Sequence, residues 1–189
     1  MNTKGQLSFF AGAVVLKLME GGMLGVLAFS YAEPGKKPQM RLPGGGSVEG
    51  ERPEQTLFTE FRDEVTEKGS LFSLDISKTQ EIYRVTKISD SSERPGTHMK
   101  VFFLIPKVAV NFKRRREKRI EPDGVELSPP SWFEAEALVK QMLAERTPYH
   151  HVMAVLLSVK EAAKHLPEVA KQYCRTLADH EKFIQTSRK

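Results

Sequence analysis

The chain has 189 residues, a formal charge of +5 and one cysteine, Cys174. That length suits one domain able to bury a sizeable core, and the basic balance favours anionic partners such as nucleotides, RNA or acidic surfaces. A single cysteine excludes an internal disulfide and a cysteine-based zinc site and agrees with a reducing cytoplasm; Cys174 lies among helix-patterned residues and reads as a packed thiol.

The apolar stretch from Leu7 to Ala32 is interrupted by Lys17, Glu20 and the Gly21-Gly22 pair, which leaves neither a continuous span of membrane length nor a signal-peptide core. It predicts two buried strands, about Phe9 to Leu18 and Leu24 to Tyr31, joined by a turn at Glu20-Gly21-Gly22. A loop through Pro34 and Pro38 leads to a short strand at Gln39 to Leu42 and then to a glycine-rich turn. Pro53 fits the first position of a helix running to about Glu67. Strands follow near Ser70 to Leu74, Glu81 to Ile88 and Met99 to Ile105, the last apolar enough for the sheet centre. From Pro106 to Pro130 the chain reads as irregular and carries the basic run Lys113 to Arg119. After Trp132 a helix is expected from about Phe133 to Ala144. Thr147-Pro148 opens another, with Val152, Val155, Leu156 and Val159, and Pro167 restarts a last one with Val169, Tyr173, Leu177 and Ile184. His150 and His151 are helix neighbours pointing about 100° apart, so they do not form a chelating pair.

The segment after the glycine turn holds the chemistry. Glu60, Asp63 and Glu64 stand at i, i+3 and i+4, on adjoining turns of one helix edge, where their oxygens can converge. Their repulsion is relieved by a hard cation, and Mg²⁺ or Mn²⁺ suits oxygen donors that leave room for water and phosphate. Leu57, Phe58, Phe61 and Val65 fall on a separate stripe that packs inward.

The run LPGGGSVEGERPEQTLFTEFRDEVT, Leu42 to Thr66, resembles the Nudix box, G-x5-E-x7-R-E-U-x-E-E-x-G-U with U bulky and aliphatic. Gly45 takes the opening glycine, Glu51 the first glutamate, Glu60 the glutamate of the R-E pair, Phe61 the bulky position, and Asp63 and Glu64 the E-E pair. Thr59 stands where the family has arginine and Thr66 where it has glycine; Arg52 or Arg62 could compensate for the former. The resemblance implies an α/β fold, an α/β/α sandwich on a mixed sheet with extra C-terminal helices. It divides the chain into a hydrolase domain, residues 1–146, and a helical extension, 147–189, that caps the domain, pairs two subunits as a homodimer or closes over substrate.

The implied activity is Mg²⁺-dependent hydrolysis of the phosphoanhydride in a nucleoside diphosphate linked to another group, in the cytoplasm and with no membrane partner. Glu60, Asp63, Glu64 and the Gly45 carbonyl are the implied metal ligands. Glu60 and Glu64 are the implied catalytic pair; the base is either a carboxylate of the box or a loop acid, Glu121 or Glu126, of which Glu126 is carried forward. Arg41, Arg52 and Arg115 are the expected phosphate contacts. Two alternatives stand beside this reading. The basic run suits pyrophosphohydrolysis at an RNA 5′ end, and Thr59 with Thr66 suits a nucleotide sensor of little or no turnover.

Overall fold

The computed structural model describes residues 7–47, 50–89, 96–173 and 178. The expected positions Cys174, Leu177 and Ile184 lie outside the described residues. Strands β1 (Leu7–Leu18) and β2 (Leu24–Ala32) form the predicted hairpin over a 3-10 turn at Glu20–Gly22. β3 (Gln39–Arg41) and β4 (Gly44–Gly46) follow, then α1 (Pro53–Val65). Next come β5 (Phe72–Leu74), β6 (Gln80–Ser89), β7 (Gly96–Pro106), β8 (Val110–Phe112), β9 (Arg119–Ile120), β10 (Glu126–Leu127) and β11 (Ser131–Glu134). Two helices succeed them, α2 (Ala135–Ala144) and α3 (Tyr149–His165), and residues 167–173 are again helical.

The central path of the sheet runs β6-β7-β1-β2-β10-β9, with β4 beside β1 and both β3 and β11 beside β2. The β1–β7 pair is parallel and the others are antiparallel, so the sheet is mixed. Both faces are covered, which explains the unbroken apolar run of β1. Ala11, Ala13 and Val15 face α1, packing with Leu57, Phe61 and Val65. Val14 and Leu16 face α2 and α3, packing with Leu138, Met142, Val152 and Val155. The result is an α/β/α sandwich. β5 and β8 form a separate two-stranded sheet against α1, where Phe61 stacks on Phe72 and meets Phe112 edge-on, with ring centroids 5.5 and 5.3 Å apart.

Three local expectations change. The glycine run is itself a strand: Gly44, Gly45 and Gly46 pair with Gly12, Ala11 and Phe10 of β1. The segment expected to be irregular contains β8, β9 and β10, the last two only two residues each. The helix after Trp132 starts two residues later than expected, because Ser131 to Glu134 pair with β2 and Glu134 then caps α2 through the amides of Glu136 and Ala137 at 2.9 and 2.7 Å. Trp132 packs in the α1-face core with Lys17 over its ring. Among the described residues, no helix is long and apolar enough to cross a membrane.

Candidate active site

Helix α1 is capped at both ends. At its start Pro53 occupies the first turn, and the Arg52 amide donates to Gln55 Oε1 at 2.9 Å. At its end the amide and hydroxyl of Thr66 both donate to the Arg62 carbonyl, at 3.2 and 2.6 Å. Thr66 has φ −90°, an ordinary backbone, so no glycine is required there.

Two helix carboxylates, one turn apart, rest on neighbouring glycines. Glu64 Oε2 accepts the Gly44 amide at 2.7 Å. Glu60 lies against Gly45, where an ideal Cβ would stand 2.5 Å from Glu60 Oε2. Gly44 is equally constrained: its φ is +149° and a Cβ would stand 2.5 Å from Gly12 Cα. The glycines therefore create the space that brings the helix carboxylates onto the strand.

Burial dominates the electrostatics of the pair. It pushes the Glu64 pKa up to about 8, with Glu60 and Glu121 adding to the rise while the Gly44 hydrogen bond and Arg119 oppose it. Glu60 is also raised, by burial first, then by Asp63, with Arg119 again opposing. Glu51, the first glutamate of the motif, accepts a 2.6 Å bond from the buried Thr56 hydroxyl and adds to the rise at Glu60.

Asp63 differs from its neighbours. Its carboxylate is exposed and pairs with Arg62 Nε at 2.8 Å. Among the described residues, no three acidic, histidine or cysteine side chains are gathered as a cation cage. The structure brings together Glu60, Glu64 and the Gly44-Gly45 backbone and leaves Asp63 at the rim. Partly buried oxygen donors whose negative form is disfavoured by burial and by one another fit a hard divalent cation, which would offset both effects.

The expected arginines have other positions. Arg52 is exposed at the helix start. Arg41 stacks on Tyr31, with its Cζ 3.6 Å from the ring centroid, and bonds Gln39 at 3.4 Å. Arg115 ties the loop to α1: its guanidinium donates to the carbonyls of Glu64 at 3.1 Å, Ser128 at 2.9 Å and Glu117. Arg119, not singled out from the sequence, donates to the Asp63 carbonyl and pairs with Glu121 at 2.8 Å. Its charge acts on both Glu60 and Glu64. Of the two acids ahead of Trp132, Glu121 acts on both glutamates, whereas Glu126 pairs with Lys118. Glu121 was already a candidate from its place ahead of Trp132, whereas Arg119 lay in the basic run, in a two-residue strand too brief to show a period.

No family model matches the sequence, and no curated protein matches it. The fold does match solved structures. A NUDIX hydrolase from Nitrosomonas europaea aligns at TM-score 0.51 and 16% identity, over 83% of this chain and 90% of that one. The NUDIX domain of Shewanella oneidensis NrtR, in a cocrystal with ADP ribose, aligns at TM-score 0.50 and 15% identity, over 84% and 88%. The chain has the Nudix fold.

Proposed function

We propose that the chain is a Nudix-family hydrolase, dependent on Mg²⁺ or Mn²⁺, which cuts a phosphoanhydride in a nucleoside diphosphate linked to another group. The observation that carries this reading is the seating of Glu64 on the Gly44 amide and of Glu60 on Gly45, a spacing with no evident packing purpose and an electrostatic penalty. Glu60, Glu64 and the Gly45 carbonyl would hold the cation, with Asp63 joining if it leaves Arg62. The bound ion supplies charge neutralisation on the diphosphate and acidifies the attacking water.

The remaining parts act through the chain itself. The Gly44 amide fixes one Glu64 oxygen and leaves the other free. Arg119 places a permanent positive charge beside the acids and beside the negative charge that grows on the phosphates. Glu121, held by Arg119, is assigned the base role in place of Glu126.

The basic run lends little to the RNA reading. Lys113 pairs with Glu67 at 2.6 Å, Lys118 with Glu126, Arg119 with Glu121, and Arg115 with backbone carbonyls. The sensor reading retains one specific support, the displacement of Asp63 from its neighbours.

The test is product release from a panel of nucleoside triphosphates, dinucleotides, nucleotide sugars, dinucleoside polyphosphates and triphosphorylated RNA with Mg²⁺. At least one should turn over, and Glu64→Gln should lower its rate by about 100-fold or more, the scale on which loss of charge stabilisation acts. A silent panel with nucleotide binding intact would favour the sensor.

A further inference from the structure

Helices α1 and α2, one on each face of the sheet, end in different ways. α2 closes on itself: the Thr147 amide reaches the Met142 carbonyl at 2.8 Å and the Arg146 amide the Leu143 carbonyl at 3.2 Å, with Arg146 in the left-handed region at φ 56°. α1 has no such turn. Thr66 is extended, at φ −90° and ψ 152°, and its amide and hydroxyl both go to the Arg62 carbonyl. Helix geometry therefore leaves the carbonyls of Asp63, Glu64 and Val65 without a donor.

The basic loop takes all three. The Arg119 guanidinium donates to Asp63, Arg115 Nε to Glu64 at 3.1 Å and the Arg115 amide to Val65 at 2.8 Å. The Glu67 amide donates to the Lys113 carbonyl at 2.8 Å, and Thr66 and Arg114 form an antiparallel bridge, which lays residues 113–115 along the end of the helix. The far side of the Arg115 fork reaches the Ser128 carbonyl at 2.9 Å, and the Ser128 amide donates to Ser30 of β2 at 2.9 Å. One line of bonds thus runs from the end of α1 to the sheet.

This arrangement has a cost. Burial, and then the like charge of Arg119, hold the Arg115 guanidinium below its ordinary pKa. The negative end of the helix, worth about half a charge, offsets the repulsion between the two arginines. The anchored turn is the one that matters to the site. Glu64 is the second-last residue of α1, where helices fray. Its carboxylate holds the Gly44 amide, and its own carbonyl is the one that Arg115 Nε holds. Fraying of this turn would swing the carboxylate off the glycine strand.

We propose that Arg115 is a positioning residue for the hydrolytic site: it caps α1 from outside and so keeps Glu64 on the Gly44 amide. Nε is on Glu64, one terminal nitrogen on Glu117 and the other on Ser128, so every nitrogen of the fork is engaged with a carbonyl rather than turned to a phosphate. Only the kinetic arm of the test rests on the hydrolase reading.

Amide hydrogen exchange on the metal-free full chain, followed by NMR, reports the seat directly, because the Gly44 amide is the donor to Glu64. Arg115→Met should speed Gly44 exchange about tenfold, the scale of one charge-assisted bond, and Mn²⁺ affinity by calorimetry should fall about tenfold. Arg116→Met removes the same charge from an exposed neighbouring position and should change neither by more than about twofold. If Arg115→Met melts early, Arg115→Lys keeps the charge without the fork and should move both readings about threefold in the same direction. On whichever member of the substrate panel turns over, Arg115→Met should lower kcat about tenfold and leave KM within about twofold. Gly44 exchange indifferent to position 115, an equal loss in Arg116→Met, or a raised KM at unchanged kcat would overturn the assignment, the last by making Arg115 a phosphate contact. A silent panel with Gly44 exchange still dependent on Arg115 would remove the hydrolase reading and leave the brace standing.

Discussion

The two faces of the sheet treat charge in opposite ways. On the α1 face, Glu60 and Glu64 are drawn into the structure and held against Gly45 and Gly44. On the α3 face, Lys100 is half-buried against a neutral His150, and the groove around it contains no acid among the described residues. Each face carries partly buried charge, and the signs are opposite: carboxylates on the α1 face, an ammonium on the α3 face.

Breaking the acid side gives the largest expected effects. Gly45→Ala would place a methyl on the Glu60 carboxylate, so Mn²⁺ affinity should fall about 10–100-fold, as when supporting groups of a metal site are removed; titration calorimetry would show it, and unchanged affinity would exclude Glu60 as a ligand. Without metal, Glu64 binds its proton more tightly folded than unfolded, since its pKa rises from 4.5 to about 8. Its contribution to stability is full below pH 4.5 and is lost as pH rises through 8. Histidines confuse the lower part of that range, because burial holds His150 and His151 below their ordinary value, an effect that stabilises above 6.5 and fades as pH falls. Between pH 6.5 and 8.5 the metal-free melting temperature should therefore decline, by a linkage on the order of a few kcal/mol. Glu64→Gln or added Mn²⁺ should flatten the decline. A flat profile in the native chain would mean that Glu64 is not buried as described.

Smaller effects sharpen the comparison. Glu121→Gln should lower the rate by about tenfold or more and Glu126→Gln by less than about threefold, in keeping with a general base and a surface ion pair. The reverse order in steady-state kinetics would return the base to Glu126. Thr59→Arg should change the rate by less than about threefold, because Arg119 already acts on both acids. A large gain would show that Arg119 does not compensate.

Legibility in the sequence followed the range of the interactions. Glu60 and Glu64 share one helix and Gly45 opens the same local motif, so their convergence could be read from spacing. The apolar runs of β1, β2 and β7 were equally clear, since two-sided burial leaves a continuous signal. Arg119 reaches α1 from 56 residues away, through two-residue strands that carry no periodicity. Arg115 donates to carbonyls 51 residues back, at the end of α1, and 13 residues on, partners that spacing along the chain does not show. Lys100 and His98 did leave a trace: both occupy the same strand face as buried Phe102, an odd place for polar groups in an apolar strand. Only the parallel register with β1 turns that oddity into a groove beside Gly46.

The β4–β1–β7 register also sets a length. Gly46 and Lys100 flank Phe10 in adjacent strands, so two inter-strand steps, about 10 Å, separate the backbones of β4 and β7. Backbone hydrogen bonds hold that interval fixed, unlike a distance between two loops. The sheet thereby keeps the strand on which Glu60 and Glu64 rest at one spacing from the strand that carries Lys100, whatever the loops around them do.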